Sequence, residues 1–315
     1  MSRFSLKFVS LIALVVIVVS ISFAAFKVQR VEASGTIYIR ADGSIDPRTA
    51  PISTVDNITY TFTDNIYDEI VVQRDNIVVD GACYTLQGTN AYDSKGISLS
   101  GRSNVTMKNT SINKFYYGLG LSGSSGNSIS GNNITDDYRA IQLWYSSNNS
   151  IVGNNITNNN YDGIGLEYSS NNSIVGNNIT DNYWRYGGDI QLLGGIELRY
   201  SSNYNSIVGN NITANNKYGI WFWDSYNNVI LRNNITSNVH GLALYYSSNN
   251  NISGNNITKT NIGIELNCSS NNSVSGNTII DTWDIGIELY VFKRKLDFWE
   301  RCLKQRLSWC YSSGK

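Results

Sequence analysis

The sequence predicts an all-β protein that forms a single-stranded parallel β-helix, a solenoid with coils of about 22 residues. The first observation is a repeat: Asn-Asn-Ile, which becomes Asn-Thr-Ile in the last copy, recurs with spacings of 22, 23, 33, 23, 22 and 22 residues. The second is its pattern, G-I-x-L-x-x-S-S-N-N-S-I-x-G-N-N-I-T, which offers three short β-branched segments bounded by Asn, Ser and Gly. No apolar stripe of helical period interrupts it. The repeats begin at Asn132, Asn154, Asn177, Asn210, Asn233, Asn255 and Asn277.

The composition fits a solenoid and excludes several classes of function. Only 15% of the 315 residues are charged and the net charge is zero, so we expect no nucleic-acid partner. One His and one internal Met make a soft-metal site improbable on chemical grounds, and we expect no metal and no cofactor. The 43 Asn residues are expected at the corners of the coils, where Asn tolerates left-handed backbone and can stack into hydrogen-bonded ladders.

Residues 1–33 predict an export or anchor segment. Phe8 to Phe26 is uncharged and mostly apolar, with basic residues on both sides. It fits a cleaved signal peptide and a retained membrane anchor equally. In either case we expect an extracytoplasmic protein that meets the membrane only through this segment. Residues 34–75 are interpreted as a segment that leads into and caps the β-helix, which spans 76–290.

The repeat pattern stops in the basic tail, residues 291–315. Leu296, Trp299, Leu303 and Leu307 have the spacing of a short amphipathic helix. Three interpretations remain open: a helix that caps the solenoid, a non-native tail, and a basic helix on a membrane surface.

The repeat, with its Gly-Ile-x-Leu and Ser-Asn-Asn-Ser-Ile-x-Gly-Asn-Asn-Ile phrases, resembles the right-handed parallel β-helix family over about residues 70–290. It is similar to carbohydrate-binding and sugar-hydrolase domains and to NosD-type periplasmic copper-processing proteins. The segment from Gly35 to Ile45 is similar to the start of exported archaeal β-helix proteins. The resemblance implies a right-handed helix and a sugar-binding cleft along the Gly-Ile-x-Leu strand. The copper role is not carried over, because the lone His240, expected at a corner, cannot supply several imidazole or soft ligands.

Two outward columns along the Gly-Ile-x-Leu strands are the predicted binding face. Aromatic rings can stack on sugar rings, and carboxylates and amides can hydrogen-bond hydroxyl groups. About ten extra residues before Asn210 add an outward loop, which we expect to contact a ligand or to pack as a flap. An ordinary solvent face is the alternative interpretation of the columns. The predicted carbohydrate-binding residues are Trp144, Trp184, Arg185, Tyr186, Arg199, Trp221, Trp223 and Tyr245.

Three glutamates are candidates for a catalytic role, and an enzymatic activity is left open. Glu265 and Glu288 are expected to be neighbours in one column, about 5 Å apart, a separation that glycoside hydrolysis permits. Glu197 is expected three coils away from Glu265. The sequence therefore favours an exported or cell-surface protein that binds polysaccharide or a surface glycan. The alternatives are a structural or adhesion rod without ligand and a polysaccharide hydrolase or lyase.

Overall fold

The computed structural model describes residues 35–182, 194–291 and 303–305. Within these ranges every regular element is a β-strand, and the strands form three sheets, A, B and C. In the repeats each coil contributes one strand to sheet A, then one to sheet B and one to sheet C, and each strand pairs in parallel with its equivalent in the next coil. The predicted right-handed parallel β-helix with coils of about 22 residues is confirmed.

The strands are numbered in chain order. Sheet A contains β1 (Ile37–Ile39), β2 (Ile45–Asp46), β5 (Ile70–Val72), β8 (Lys95–Ser100), β11 (Tyr117–Ser122), β14 (Arg139–Trp144), β17 (Ile164–Glu167), β20 (Gly194–Arg199), β23 (Tyr218–Trp223), β26 (His240–Tyr245), β29 (Ile262–Asn267), β32 (Ile285–Val291) and β33 (Leu303–Gln305). Sheet B contains β3 (Ile52–Ser53), β4 (Thr59–Phe62), β6 (Val78–Asp80), β9 (Thr106–Lys108), β12 (Ser128–Ser130), β15 (Ser150–Val152), β18 (Ser173–Val175), β21 (Ser206–Val208), β24 (Val229–Leu231), β27 (Asn251–Ser253) and β30 (Ser273–Ser275). Sheet C contains β7 (Thr85–Gln87), β10 (Ser111–Asn113), β13 (Asn133–Thr135), β16 (Asn155–Thr157), β19 (Asn178–Thr180), β22 (Asn211–Thr213), β25 (Asn234–Thr236), β28 (Asn256–Thr258) and β31 (Thr278–Ile280).

The core is a set of aliphatic columns along the helix axis. From β12 to β28 the central Ile of each strand in sheets B and C points inward and is fully buried, as Ile151 and Ile156 show. In sheet A two inward residues per coil, such as Ile164 and Leu166, do the same. Burial of each such side chain contributes about 1.5–3 kcal/mol, so the stacked repeats stabilise one another.

The Gly of each Gly-Ile-x-Leu phrase is required by the close approach of successive coils. At Gly219 an added Cβ would lie 2.6 Å from the carbonyl oxygen of Gly241 and 2.6 Å from Cγ2 of Ile235. Equivalent glycines in the neighbouring coils leave equally little room. These glycines therefore set how tightly sheet A packs against the interior side chains of sheet C.

Buried Asn side chains form a ladder at each corner. Asn210 donates from Nδ2 to Asn233 Oδ1 (3.0 Å) and to the carbonyl of Ile174 (2.9 Å). Its Oδ1 accepts the backbone N–H of Asn177 (2.9 Å) and the Nδ2 of Asn177 (3.0 Å). The other ladders run through Asn149 and Asn172 and through Asn159 and Asn182. The predicted ladders are confirmed, and they satisfy buried backbone groups at every turn.

The two neighbouring Asn residues of a corner have different tasks. Asn148 is exposed and adopts the left-handed conformation (φ 60°), whereas Asn149 is buried in the ladder. In the Gly-Asn-Asn corner Gly153 supplies the left-handed residue (φ 63°), and Asn154 joins the ladder. The predicted left-handed Asn and the predicted stacked Asn are thus separate positions.

The tail and the N-terminal segment lie mostly outside the described residues. The described tail residues, Leu303–Gln305, form β33, which pairs antiparallel with β32, whereas the spacing predicted that Leu303 belongs to a helix. Within the described ranges no helix is long and apolar enough to cross a membrane. The segment 1–33 and the remainder of the tail keep their interpretations as predictions, as do the domain boundaries.

We predict that substitution of a buried ladder residue destabilises the protein far more than substitution of its exposed neighbour. Asn210→Ala removes the acceptor of the Asn177 amide and the donor to the Ile174 carbonyl, which should cost roughly 2–4 kcal/mol. Asn211→Ala, at the exposed position one residue later, should cost less than about 1 kcal/mol. Denaturant unfolding followed by circular dichroism compares the two. Equal losses would contradict the structural role of the ladder.

One rung carries an acid in place of an amide. Asp137 occupies the position that Asn159 and Asn182 hold in the next two coils, and it is fully buried. Its Oδ1 accepts the backbone N–H of Phe115 (2.7 Å), but among the described residues its Oδ2 finds no hydrogen-bond partner. Burial raises the pKa of Asp137 well above its ordinary value. Burial therefore favours the protonated form of this carboxyl group in the folded protein.

We predict that Asp137→Asn stabilises the protein. The new amide can donate to Asn159 Oδ1, as Asn159 does to Asn182, and a buried hydrogen bond contributes about 1 kcal/mol. Because the raised pKa makes the wild type lose stability as pH rises above the ordinary carboxyl value, the gain should grow with pH. Thermal unfolding between pH 5 and pH 8 measures it. Asp136→Asn, at the exposed neighbouring position, is the control and should change little.

Candidate functional site

The outer face of sheet A carries three columns of side chains. The second and third columns are the two that the sequence predicts, and their register is confirmed. The first column, at the start of each strand, contains Tyr117, Arg139, Asp162, Gly194, Tyr218 and His240. The second contains Gln142, Gly165, Glu197, Trp221, Ala243, Glu265 and Glu288. The third contains Trp144, Glu167, Arg199, Trp223, Tyr245, Asn267 and Tyr290.

The second column is buried, which corrects the expectation that it is exposed. Glu197, Trp221, Glu265 and Glu288 point away from the core and are nevertheless almost inaccessible. Longer side chains of the neighbouring columns cover them. The guanidinium carbon of Arg199 lies 5.0 Å from the ring centroid of Trp221, and the Tyr245 hydroxyl donates to Glu265 Oε1 (2.9 Å). The partly accessible side chains of this face therefore belong to the third column and, at Arg139 and His240, to the first.

Four charged side chains form a row across three successive coils. Arg139 Nη1 donates to Asp162 Oδ2 (3.1 Å), and Arg199 Nη2 donates to Glu197 Oε2. The remaining oxygens, Asp162 Oδ1 and Glu197 Oε1, are buried and find no N–H or O–H donor in the part of the chain that the structure describes. The two carboxyl groups interact directly, and a proton held by one of them would remove their mutual repulsion. The four charged groups follow the order Arg139, Asp162, Glu197, Arg199.

The electrostatics of this row of charged groups favour a proton on one of its two carboxyl groups. Burial and the adjacent Asp162 together raise the pKa of Glu197 to about 8, against the opposing effects of Arg199 and Arg139. Burial also raises the pKa of Asp162, while Arg139 lowers it. Gly165 leaves the room for this arrangement, since a Cβ there would lie 2.2 Å from Gln142 Oε1 and 2.9 Å from Asp162 Oδ2.

A second polar cluster surrounds the single histidine. His240 Nδ1 lies 3.0 Å from Glu265 Oε2, and the other Glu265 oxygen accepts the Tyr245 hydroxyl. The Tyr218 hydroxyl lies 3.4 Å from that of Tyr245, and its ring packs against the imidazole at 4.9 Å. Burial, together with the neighbouring Tyr218 and Glu265, raises the pKa of the Tyr245 hydroxyl, so this group stays neutral. His240 is thus part of the face and not a corner residue as expected.

Aromatic rings link the two clusters. Trp221 contacts Tyr218, Trp223 and Tyr245 with ring centroids 6.0, 6.1 and 6.3 Å apart. Trp223 and Tyr245 are partly accessible and stack at 6.2 Å. The result is a continuous surface of rings bordered by hydroxyl, carboxyl and guanidinium groups.

The structure brings together most of the predicted residues that it describes. Arg199, Trp221, Trp223 and Tyr245 form one group with Glu197 and Glu265. Trp144 lies apart from this group and packs edge-on against Tyr117 at 4.9 Å. Glu265 and Glu288 are register neighbours, as predicted. Trp184, Arg185 and Tyr186 lie outside the described residues.

The sequence analysis did not identify the residues of the first column as part of the outer face of sheet A. Arg139, Asp162, Tyr218 and His240 differ in chemistry from coil to coil and therefore show no repeat. The signal that could have found them is position: each lies two residues before the inward Ile or Leu of its Gly-Ile-x-Leu phrase. Across the part of the chain that the structure describes, no group of three or more His, Cys, Asp or Glu residues is placed to hold a metal ion.

Comparison with known proteins defines the class. The family described as "Right handed beta helix region" matches residues 75–234, and the chain belongs to this family. The family described as "Periplasmic copper-binding protein (NosD)" matches residues 190–296. No curated protein sequence matches the chain.

Several solved structures share the fold. The Dettilon tailspike protein (gp208) is 18% identical over 80% of this chain and 64% of its own, with a TM-score of 0.58. A variant of the periplasmic alginate epimerase AlgG is 16% identical over 76% of this chain and 79% of its own, with a TM-score of 0.50. DFA-IIIase from Arthrobacter chlorophenolicus A6, in complex with GF2, is 13% identical over 69% and 61%, with a TM-score of 0.50. Identities this low show a common fold alone.

We predict that Glu197→Gln reduces the pH dependence of stability. The folded-state pKa of Glu197, about 8, lies above the ordinary 4.5, so the folded protein holds a proton that the unfolded chain releases. Its contribution is therefore present below about pH 4.5 and is lost as pH rises through 8. Glutamine stays neutral, can donate to Asp162 and can accept from Arg199. The unfolding midpoint of the variant should fall less between pH 5 and pH 9. Glu167→Gln, at a more accessible position in the third column, should leave the wild-type slope unchanged.

Proposed function

We propose that the protein binds a polysaccharide along the outer face of sheet A. The observation that carries this proposal is the contrast between two outer faces of one repetitive molecule. Sheet C presents Asn and Thr at the same two positions in six successive coils, beginning with β13 and ending with β28. Sheet A presents a different side chain in nearly every coil. A solenoid needs no such variety for its stability, so the variety points to a ligand.

The chemistry of the face suits sugars. Carbohydrates present apolar C–H faces and polar hydroxyl edges, and this surface alternates partly accessible rings, Trp223 and Tyr245, with hydrogen-bonding groups.

The named structural neighbours support the same class of partner and an extracytoplasmic location. One is a periplasmic alginate epimerase and another is DFA-IIIase in complex with GF2. The NosD family and the epimerase are both described as periplasmic. We infer that the chain works outside the cytoplasm, secreted or held at the cell surface through residues 1–33.

Cleavage of the bound polysaccharide is the second candidate function. Glycoside cleavage uses a carboxyl group with a raised pKa, and burial raises the pKa of Glu197 to about 8 together with the adjacent Asp162. Glu197 is covered by its neighbours, so the paired Arg199 would have to move to admit a sugar to this carboxyl group. Release of reducing ends or unsaturated products from alginate, pectate, xylan and cellulose oligomers tests it. Loss of activity in Glu197→Gln, and its retention in Glu167→Gln, is the expected pattern if the protein is an enzyme.

We predict that Trp223→Ala weakens polysaccharide binding roughly tenfold, because it removes a partly accessible ring next to Tyr245. Affinity electrophoresis through gels that contain alginate, pectate, xylan, mannan or soluble cellulose derivatives provides the measurement. Trp283→Ala is the control, since Trp283 is 78% exposed on a turn of the final complete coil and belongs to none of the three columns. A wild-type protein that none of these polymers retards would favour the structural rod instead.

A further inference from the structure

Three tyrosines form a stack at the turn that follows sheet A. Tyr145, Tyr168 and Tyr200 each come directly after the third-column residue of their coil. They are 66%, 46% and 39% exposed. The rings of Tyr145 and Tyr168 are almost parallel (3°) with centroids 4.8 Å apart, and those of Tyr168 and Tyr200 lie 5.4 Å apart at 21°. The stack runs along the helix axis beside the third column.

The turn itself does not require aromatic residues. The three tyrosines adopt φ values of 48°, 51° and 51°, a left-handed conformation that disfavours large side chains. In the two preceding coils Gly101 and Gly123 occupy the same turn with φ values of 65° and 61°. The three tyrosines are therefore held in a backbone conformation that costs conformational free energy, at a turn where glycine would fit without that cost.

The stack ends with an open ring face at Tyr145. One face of this ring is covered by Tyr168. The opposite face is turned toward the preceding coil, where the equivalent residue is Gly123. No atom lies within 4 Å of the position that a Cβ of Gly123 would take, apart from its chain neighbours. The space above Tyr145 is therefore bounded by a bare backbone turn.

Polar groups stand next to this space. Ser122, the third-column residue of the Gly123 coil, is exposed and lies in register with Trp144. Its hydroxyl can donate and accept at the edge of a ring that lies on Tyr145. Trp144 is partly accessible on the Tyr145 side of the same space.

We propose that the open face of Tyr145 is a stacking platform for one pyranose ring, with Gly123 providing the room. The proposal rests on the proposed polysaccharide-binding function and gives that function its end subsite. The ligand class is a hexopyranose with an axial C–H face, because such a face is apolar enough to lie flat on the phenol ring. The sugar chain would continue along the helix axis beside the third column.

Two substitutions remove the platform by opposite routes. Tyr145→Asn deletes the ring and places at φ 48° a residue that the left-handed conformation favours, so the fold should be kept or stabilised. Gly123→Tyr extends the stack by one ring, in a turn that accepts tyrosine in the next three coils, and fills the space. Gly153→Tyr is the matched control, because Gly153 is also a left-handed glycine in open space but lies at the corner between sheets B and C.

Saturation-transfer NMR of the full chain with methyl β-glycosides of glucose, galactose, mannose, N-acetylglucosamine and glucuronate tests the platform. At least one glycoside should bind the wild type and Gly153→Tyr equally, and bind Tyr145→Asn and Gly123→Tyr roughly tenfold more weakly. Thermal unfolding of all four proteins confirms that each is folded.

The outcomes separate the platform from the proposed function. Equal binding by all four proteins would overturn the platform and leave polysaccharide binding standing. Polymer retardation of the wild type without binding of any single glycoside would also overturn the platform. A wild type that binds neither polymers nor glycosides would overturn both proposals.

Discussion

The structure depends on how the polar groups of its corners are satisfied. A coil of about 22 residues goes once around a narrow apolar core and changes direction at three corners. Each corner leaves backbone polar groups beside that core. Asn side chains resolve this conflict because one amide both donates and accepts. At Asn210 a single side chain serves the backbone of the coil before it and the amide of the coil after it. Any residue that only accepts, as Asp137 does when ionised, cannot complete the rung.

Because the ladders hold the corners, the residues at the outward positions of the strands can vary without changing the fold. Once the corners are held and the central Ile residues are stacked, the outward positions of a strand contribute little to the β-helix itself. Sheet C retains the same Asn and Thr residues, whereas sheet A carries arginines, carboxyls and large rings on an equally regular backbone. A rigid scaffold of this kind can place dissimilar side chains at fixed spacing along its axis.

The crowding of these large side chains produces the site. Because successive coils bring equivalent residues to neighbouring positions, Arg199 lies over Trp221 and Tyr245 reaches Glu265. The second column loses its contact with water, and the pKa of Glu197 rises as a result. The same stacking has a different outcome at the edge of the sheet. There the rings of Tyr145, Tyr168 and Tyr200 stack on one another, and the outer face of Tyr145 is turned toward a glycine turn.

The amino-acid sequence alone determined the fold, the coil length and the register, because these depend on a sequence pattern that recurs in every repeat. It also placed Glu197, Trp221 and Glu265 in one column and Arg199, Trp223 and Tyr245 in another. It could not show that the second column is buried, or that Asp162 lies against Glu197 and His240 against Glu265. Those contacts join residues of different coils through side chains that vary, and a repeat pattern carries no information about them. Only the stacked tertiary structure decided which polar groups meet, which lose their water, and which ring stays open to a ligand.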